Sequence, residues 1–124
     1  VQDIKNGTQR VATIREKLAE GISALEEVVE WFIAEGGDNP QLPGAAAASY
    51  LRLCGVVCGG WMMARAAGIS DKELATNGAN TSFYLSKLAS ASFYGAQIMP
   101  NATALARTII EGSHAVSELD ETAF

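Results

Sequence analysis

The sequence predicts an all-α fold, an antiparallel bundle of three long helices around one core. Apolar residues recur at spacings of three and four over three long segments, and no stretch alternates convincingly at the period of two that marks a half-buried strand. Short clusters of Gly, Pro, Asn and Asp separate the segments and favour turns there. With 124 residues, 48% of them hydrophobic, the chain is expected to form a single domain over residues 1–124.

The first helix is predicted over about residues 3–35. Its apolar residues form one stripe: Val11, Ile14, Leu18, Ile22, Leu25, Val28 and Phe32. The segment that follows, residues 36–44, contains three glycines and two prolines, which end the helix.

The second helix is predicted over about residues 45–67, with Gly68 placed to end it. Ser70 and Glu73 have the spacing of a capping box, which predicts a short separate turn of helix in the linker. Asn77-Gly78 then indicates a turn. Trp61, together with Met62 and Met63, is interpreted as filling the core.

The third helix is predicted over about residues 81–119, with Thr81 as its N-cap. Its seam steps alternately by four and three without a break: Tyr84, Leu88, Ala91, Gly95, Ile98, Ala102, Leu105, Ile109, Gly112, Val116 and Leu119. Pro100 falls on the side opposite this seam, where a proline bends a helix around its partners. The pattern favours one helix kinked at Pro100; the alternative is a split there, which gives a four-helix bundle.

The second helix carries three internal glycines, Gly55, Gly59 and Gly60, each of which costs about 1 kcal/mol relative to Ala. Such a cost indicates the close approach of another backbone, either a helix of this bundle or a surface outside the chain. Arg52 and Arg65 are the charged residues of this segment. They either pair with the glutamates near the end of the first helix or reach a partner. These three glycines and two arginines are the candidate contact surface.

Charge and cysteine content exclude several classes of function. Nine Lys and Arg against fourteen Asp and Glu give a net charge of −5, which argues against binding to nucleic acid or to an anionic membrane surface. The apolar stretch from Leu53 to Ala64 is too short to span a bilayer. Cys54 and Cys58 lie four apart on one helix, a poor geometry for a disulfide, so we expect a reducing, cytoplasmic setting. The chain begins at Val1 rather than Met, which suggests a processed protein or a piece of a longer one.

The sequence contains no complete set of catalytic, cofactor-binding or metal-ligating residues. His114 is the single histidine, and Glu111 precedes it at the Glu-x-x-His spacing of di-iron bundles, but the remaining motifs of such a site are missing. Both residues are predicted on the outer face of the third helix, so His114 is interpreted as a solvated side chain. Cys54 and Cys58 are interpreted as small packing residues. No glycine-rich loop joins a strand to a helix to hold phosphate groups.

Two groups of residues carry a family resemblance. The first lies in the second helix: Tyr50-Leu51-Arg52-Leu53, Gly55, Gly59-Gly60-Trp61 and Ala64-Arg65-Ala66. The second lies in the last third of the chain: Phe83-Tyr84, Lys87-Leu88, Ala91, Phe93-Tyr94, Pro100, Leu105-Ala106, Gly112, Leu119-Asp120-Glu121 and Phe124. In order and spacing these resemble the extra C-terminal domain of a subgroup of acyl-CoA dehydrogenases over about residues 42–124. Residues 1–41 resemble it as a helix of suitable length ending in Trp31-Phe32.

The resemblance implies a longer parent enzyme that uses FAD to remove hydrogens from Cα and Cβ of an acyl-CoA thioester. In that family the flavin site and the carboxylate base lie in an upstream core, so no catalytic or FAD-binding residue is assigned to this chain. The implied role is structural: the bundle packs on the core of the same polypeptide, shapes the outer part of the acyl or CoA channel, or supports the contacts of a homo-oligomer. The alternative is a stand-alone interaction module that dimerises through the face from Gly55 to Gly60.

Overall fold

The computed structural model describes residues 2–76 and 78–119, with side chains from Thr8 onward. Its helices are α1 (Gln2–Glu35), α2 (Gln41–Thr76), α3 (Thr81–Phe93) and α4 (Pro100–Glu118), and a π-helical turn (Tyr94–Ile98) joins the last two. The chain is 91% helical, and the described residues form no strand. Short turns after α1 and after α2 reverse the chain, so α1, α2 and α3 are successively antiparallel, which confirms the predicted all-α bundle. The predicted turn at Asn77-Gly78 is described only at Gly78, because Asn77 lies outside the described residues.

Helix α2 is central to the bundle, since it contacts α1, α3 and α4. By length and hydropathy alone it also qualifies as a membrane-spanning helix, with a mean hydropathy of 1.3 over its most apolar window. Of that window, 33% is buried inside the bundle. Its buried residues form one stripe: Leu42, Ala46, Leu53, Val57, Gly60, Ala64, Ala67 and Ser70.

The predicted bounds of the second helix, 45–67, are wrong at both ends. At the start, the side chain of Asn39 accepts a hydrogen bond from the backbone N–H of Gln41 at 3.2 Å, and Pro43 fits the first turn because its missing N–H needs no partner there. At the other end, Ala67 is fully buried and Ser70 is 2% exposed, so burial against the bundle carries the helix through Gly68. Ser70 therefore lies inside α2 and caps nothing.

The start of α3 also differs from the prediction. Asn80, with a left-handed φ of 56°, is the N-cap residue, and its carbonyl accepts the backbone N–H of Tyr84 at 3.2 Å. The hydroxyl of Thr81 instead donates a hydrogen bond to the carbonyl of Gly78 at 2.9 Å. Gly78 has a φ of 67°, a conformation that glycine adopts without the strain a side chain would add. The tight turn is thus set by Gly78 and Asn80 rather than by a Thr81 cap.

Together, α3, the π-helical turn and α4 form the predicted third helix, which is continuous and bent by 30° at residue 99. This confirms the kinked helix and excludes the split bundle. Pro100 is exposed on the outer side and has no N–H to donate to the preceding turn. The backbone N–H of Met99 donates to the carbonyl of Tyr94 at 2.9 Å, five residues back, as in a π-helix.

The π-turn moves the buried face of the helix by one residue. Before it, Leu88 and Ala91 are buried as the seam predicts, and Gly95 within the turn is buried as well. After it, the buried residues are Met99, Ala106 and Ser113, whereas the seam predicts Ile98, Leu105 and Gly112; Ala102 and Ile109 belong to both sets. Val116 and Leu119 are 52% and 58% exposed, so the predicted seam is wrong at its end. One extra residue in a helical turn rotates everything that follows.

The bend places the side chain of Met99 in the core. It is 2% exposed and lies between Gly21 of α1 and Gly60 of α2, where a Cβ on either glycine would overlap it. Because Gly21 occupies the core position at this level, Ile22 is 40% exposed, although the stripe of the first helix predicts it as buried. The glycines thus let Met99 fill the space between α1 and α2.

Candidate functional site

The surface shared by α1 and α2 carries most of the exposed large apolar side chains of the described residues. We call it the α1/α2 face. It comprises Ile22, Val29 and Ile33 of α1 and Leu51, Trp61, Met62 and Ile69 of α2. Ile33 is 78% exposed and Leu51 is 74% exposed, an unusual position for aliphatic side chains of this size. Exposed large apolar side chains that cluster on one side of a domain indicate a contact with another protein surface.

One end of the α1/α2 face is a groove with almost no polar groups. The groove has a volume of about 610 Å³ and lies where α1 ends and α2 begins. Its lining residues are Val29, Phe32, Ile33, Pro43, Ala47, Tyr50, Leu51 and Cys54. The ring of Phe32 packs edge-on against Tyr50 with 5.3 Å between ring centroids, so the floor of the groove is part of the bundle's own packing. A hydrogen bond with Cys54 raises the pKa of Tyr50.

The other end of the same face is basic. We call it the basic groove and define it by Arg15 of α1 and by Trp61, Arg65 and Lys72 of α2. Its volume is about 480 Å³. The guanidinium carbon of Arg65 lies 5.1 Å from the centroid of the Trp61 ring, a cation–π contact. The groove therefore combines three cations with an aromatic ring that is 51% exposed.

The structure separates the residues of the predicted contact surface. Gly59 and Gly60 face the chain itself, since a Cβ on Gly59 would overlap the Tyr94 ring and one on Gly60 would overlap Met99. The sequence left open whether the glycines approach a helix of this bundle or a surface outside the chain. Gly59 and Gly60 approach side chains of this bundle. Gly55 has no atom within 4 Å of an added Cβ and is exposed.

The two arginines of that predicted surface are exposed but point in different directions. At about 100° per residue, the thirteen steps from Arg52 to Arg65 place them about 140° apart around α2. Arg65 lies in the basic groove beside α1. Within residues 8–76 and 78–119, neither arginine forms an ion pair with a glutamate.

The prediction that Trp61 and Met62 fill the core is wrong, because they are 51% and 56% exposed. Met63 is half-buried. The signal that locates Trp61 is the stripe of small residues at Gly60, Ala64 and Ala67, which leaves the Trp61 side of the helix outside. Arg15 and Lys72, which sequence reasoning did not single out, join Trp61 through the antiparallel packing of α1 on α2.

His114 and Glu111 lie on the outer side of α4, as predicted, but both have partners. The Nε2 atom of His114 lies 3.4 Å from a carboxylate oxygen of Glu35, which links α4 to the end of α1. Glu111 pairs with Arg107 at 3.3 Å. Cys54 and Cys58 are free thiols. In the described part of the chain, no three His, Cys, Asp or Glu side chains form a group that could hold a metal ion.

The apolar groove of the α1/α2 face does not fit the flavin of FAD. The largest apolar groove is an open surface on which Ile33 and Leu51 are mostly exposed, and its polar side-chain groups are the Tyr50 hydroxyl and the Cys54 thiol. These two groups are too few to bind the polar edge of a flavin, which needs several directed donors and acceptors. We therefore derive no step of flavin chemistry from this bundle.

Comparison with known proteins agrees with this architecture. The family described as "Acetyl-CoA dehydrogenase C-terminal like" matches residues 1–120, and the chain belongs to this family. This bundle is thus a C-terminal domain of the kind found in acyl-CoA dehydrogenase-like enzymes.

Among curated proteins, the chain is similar to 3-methylmercaptopropionyl-CoA dehydrogenase of Ruegeria pomeroyi, with 26% identity over 102 residues. That match covers 82% of this chain but 17% of the relative. No solved structure matches the chain.

Proposed function

We propose that this bundle is the structural, non-catalytic C-terminal domain of an FAD-dependent acyl-CoA dehydrogenase, and that its α1/α2 face packs on the catalytic core of the same polypeptide. The parent enzyme removes hydrogens from Cα and Cβ of an acyl-CoA thioester. In this proposal FAD and the catalytic base belong to the core, and the bundle binds no cofactor.

The observation that carries the proposal is the exposed apolar α1/α2 face on a domain that matches one part of a longer enzyme. Covering an exposed aliphatic side chain removes up to roughly 2 kcal/mol of unfavourable contact with water, so Val29, Ile33 and Leu51 at the apolar end of this face favour a permanent neighbour. The relative supports the parent chemistry, because its name denotes a dehydrogenase of a CoA thioester and the chain spans less than a fifth of its length.

The cytoplasmic location and the homo-oligomeric state stay predictions. A stand-alone dimerisation module also stays an alternative, but less of its proposed contact surface is available to a second chain. Gly59 and Gly60 are occupied by Tyr94 and Met99, so of the face between Gly55 and Gly60 little remains for a second chain.

The proposed division of labour is tested by comparing the intact parent protein with the 124-residue chain. We expect the intact protein to carry a yellow flavin and to reduce an acceptor dye when an acyl-CoA is added. We expect the 124-residue chain to be colourless and inactive with the same substrate. Turnover by the chain alone, or the lack of a flavin dehydrogenase core elsewhere in the parent polypeptide, would contradict the proposal.

The proposed docking face is tested in the intact enzyme by replacing Ile33 and Leu51 with glutamate. Both side chains are mostly exposed in the bundle, so the bundle itself should keep its fold, while the contact with the core should weaken. The expected result is faster proteolytic release of the domain. Val116→Glu is the matched control, since Val116 is 52% exposed on α4, away from the proposed contact. Equal release rates for both variants would contradict the assignment of the face.

A further inference from the structure

The basic groove concentrates positive charge in a chain whose net charge is −5. Arg15, Arg65 and Lys72 all have exposed side chains, and in the described part of the chain none of them forms an ion pair. Among the acidic neighbours in sequence, Glu16 and Glu73 lie about 100° further around their helices. Asp71, which precedes Lys72, is half-buried against α1, where one carboxylate oxygen accepts a hydrogen bond from the Thr8 hydroxyl at 3.4 Å and the other has no partner. Three unpaired cations that share one groove repel each other, so the arrangement favours an anionic ligand.

The groove also offers an aromatic surface to a ligand. Trp61 keeps half of its surface exposed beside the cations. The Arg15 guanidinium lies beside the α2 backbone at Gly68, where an added Cβ would be in ordinary van der Waals contact with one of its nitrogens, at 3.5 Å. Leu18, Ala64 and Ile69 form an apolar floor, and the volume of about 480 Å³ is within the range of small-ligand sites.

We propose that the basic groove binds the phosphate groups of a nucleotide with the base stacked on Trp61, and that the ligand is the 3′-phosphorylated ADP end of CoA. Arginine binds phosphate oxygens in pairs, lysine adds a mobile point charge, and an exposed aromatic ring stacks on a nucleobase. A ligand with phosphates at two positions engages three separate cations better than a single pyrophosphate does. The choice of CoA rests on the proposed function; the nucleotide class rests on the groove.

The location of the groove is compatible with the proposed docking of the domain. Along α2, Trp61 is 10 residues and Lys72 is 21 residues from Leu51, which places them about 15 Å and about 31 Å from the apolar end of the α1/α2 face. A core seated on the apolar end therefore leaves the basic groove at the margin of the contact. There a CoA nucleotide that extends from the core can be bound by both parts of the enzyme.

Calorimetric titration of the 124-residue chain with CoA, dephospho-CoA and FAD tests the proposal. CoA should bind, and removal of its 3′-phosphate should weaken binding several-fold. The Arg65→Ala, Lys72→Ala double variant should bind CoA at least about tenfold more weakly, because it loses two charge-assisted contacts. Arg107→Ala is the matched control, an exposed arginine on α4 whose loss should leave CoA binding unchanged. Circular dichroism verifies that each variant keeps its helices.

Stacking of the base on Trp61 is measured separately, by tryptophan fluorescence. The chain has two tryptophans, so in a Trp31→Phe background the emission comes from Trp61, and saturating CoA should quench it. Equal CoA affinity in the double variant and the control, or unchanged emission at saturation, would overturn the nucleotide site. Equal binding of CoA, dephospho-CoA and FAD would overturn the assignment to CoA. Neither result depends on whether the parent enzyme turns over an acyl-CoA, which tests the proposed function separately.

Discussion

At the scale of single residues, Tyr94 ties the bent third helix to the centre of the bundle. Its hydroxyl donates a hydrogen bond to the carbonyl of Val56 at 2.8 Å, a carbonyl inside helix α2 that has a second lone pair to offer. Gly59, one turn further along α2, leaves room for the phenol ring. Burial, and to a smaller extent the Cys58 thiol, raises the pKa of Tyr94 above 10.0.

We predict that Tyr94→Phe lowers the free energy of unfolding by about 1 kcal/mol near neutral pH, the net contribution of one hydrogen bond. It should also reduce the loss of stability at alkaline pH. The folded state retains the Tyr94 proton that the unfolded chain releases above pH 10, so this contribution is complete below pH 10 and is lost as the pH rises through the raised value. Denaturant unfolding at about pH 7 and about pH 11 measures both effects. Tyr84→Phe is the control, and an identical pH response in both variants would contradict the assignment.

The sequence predicts that glycines of α2 are closely approached, but it does not predict which residues approach them. The internal glycines indicate close approach, and for Gly59 and Gly60 this is correct. The partners could not be predicted, because Tyr94 and Met99 reach them through a bend whose direction depends on tertiary packing. The basic groove was missed for a related reason: Arg15 and Lys72 are 57 positions apart and meet only when α1 packs on α2.

At the scale of helices, the π-turn before Pro100 decides which residues of α4 enter the core. A heptad pattern assumes one constant period, so it predicts Ile98 and Leu105 as buried. The π-turn adds a residue and buries Met99 and Ala106 instead. Leu88 and Ala91, which precede the turn, are buried as the pattern predicts. The bend itself was predictable, because a proline removes an intrahelical donor wherever it stands.

The glycines of α2 give a matched test of this packing. Gly55→Ala should raise the free energy of unfolding by up to about 1 kcal/mol, because an added Cβ meets no atom within 4 Å and alanine favours the helix. Gly60→Ala should lower it by roughly 1–3 kcal/mol, because Met99 is held from the other side by Gly21 and cannot move away freely. Denaturant unfolding of both variants measures the difference. A stabilised Gly60→Ala variant would contradict the position of Met99.

At the scale of the whole molecule, the fold class and the family were predictable, whereas the surface was only partly so. Helical periodicity and turn residues define three long antiparallel helices, and burial then extends α2 at both ends. Net charge correctly describes the chain as acidic, but it averages over a surface on which cations and apolar side chains share one face. The division of the α1/α2 face into an apolar and a basic end follows from the packing of α1 on α2 and not from composition.

The most direct test of the account compares photochemical hydroxyl-radical labelling of the 124-residue chain with that of the intact parent enzyme. If the bundle docks through the apolar end of the α1/α2 face, Ile33 and Leu51 are labelled readily in the isolated chain and are strongly protected in the parent. Val116 on α4 should be labelled equally in both. Unchanged labelling of Ile33 and Leu51 in the parent enzyme would contradict the claim that this face packs on the catalytic core.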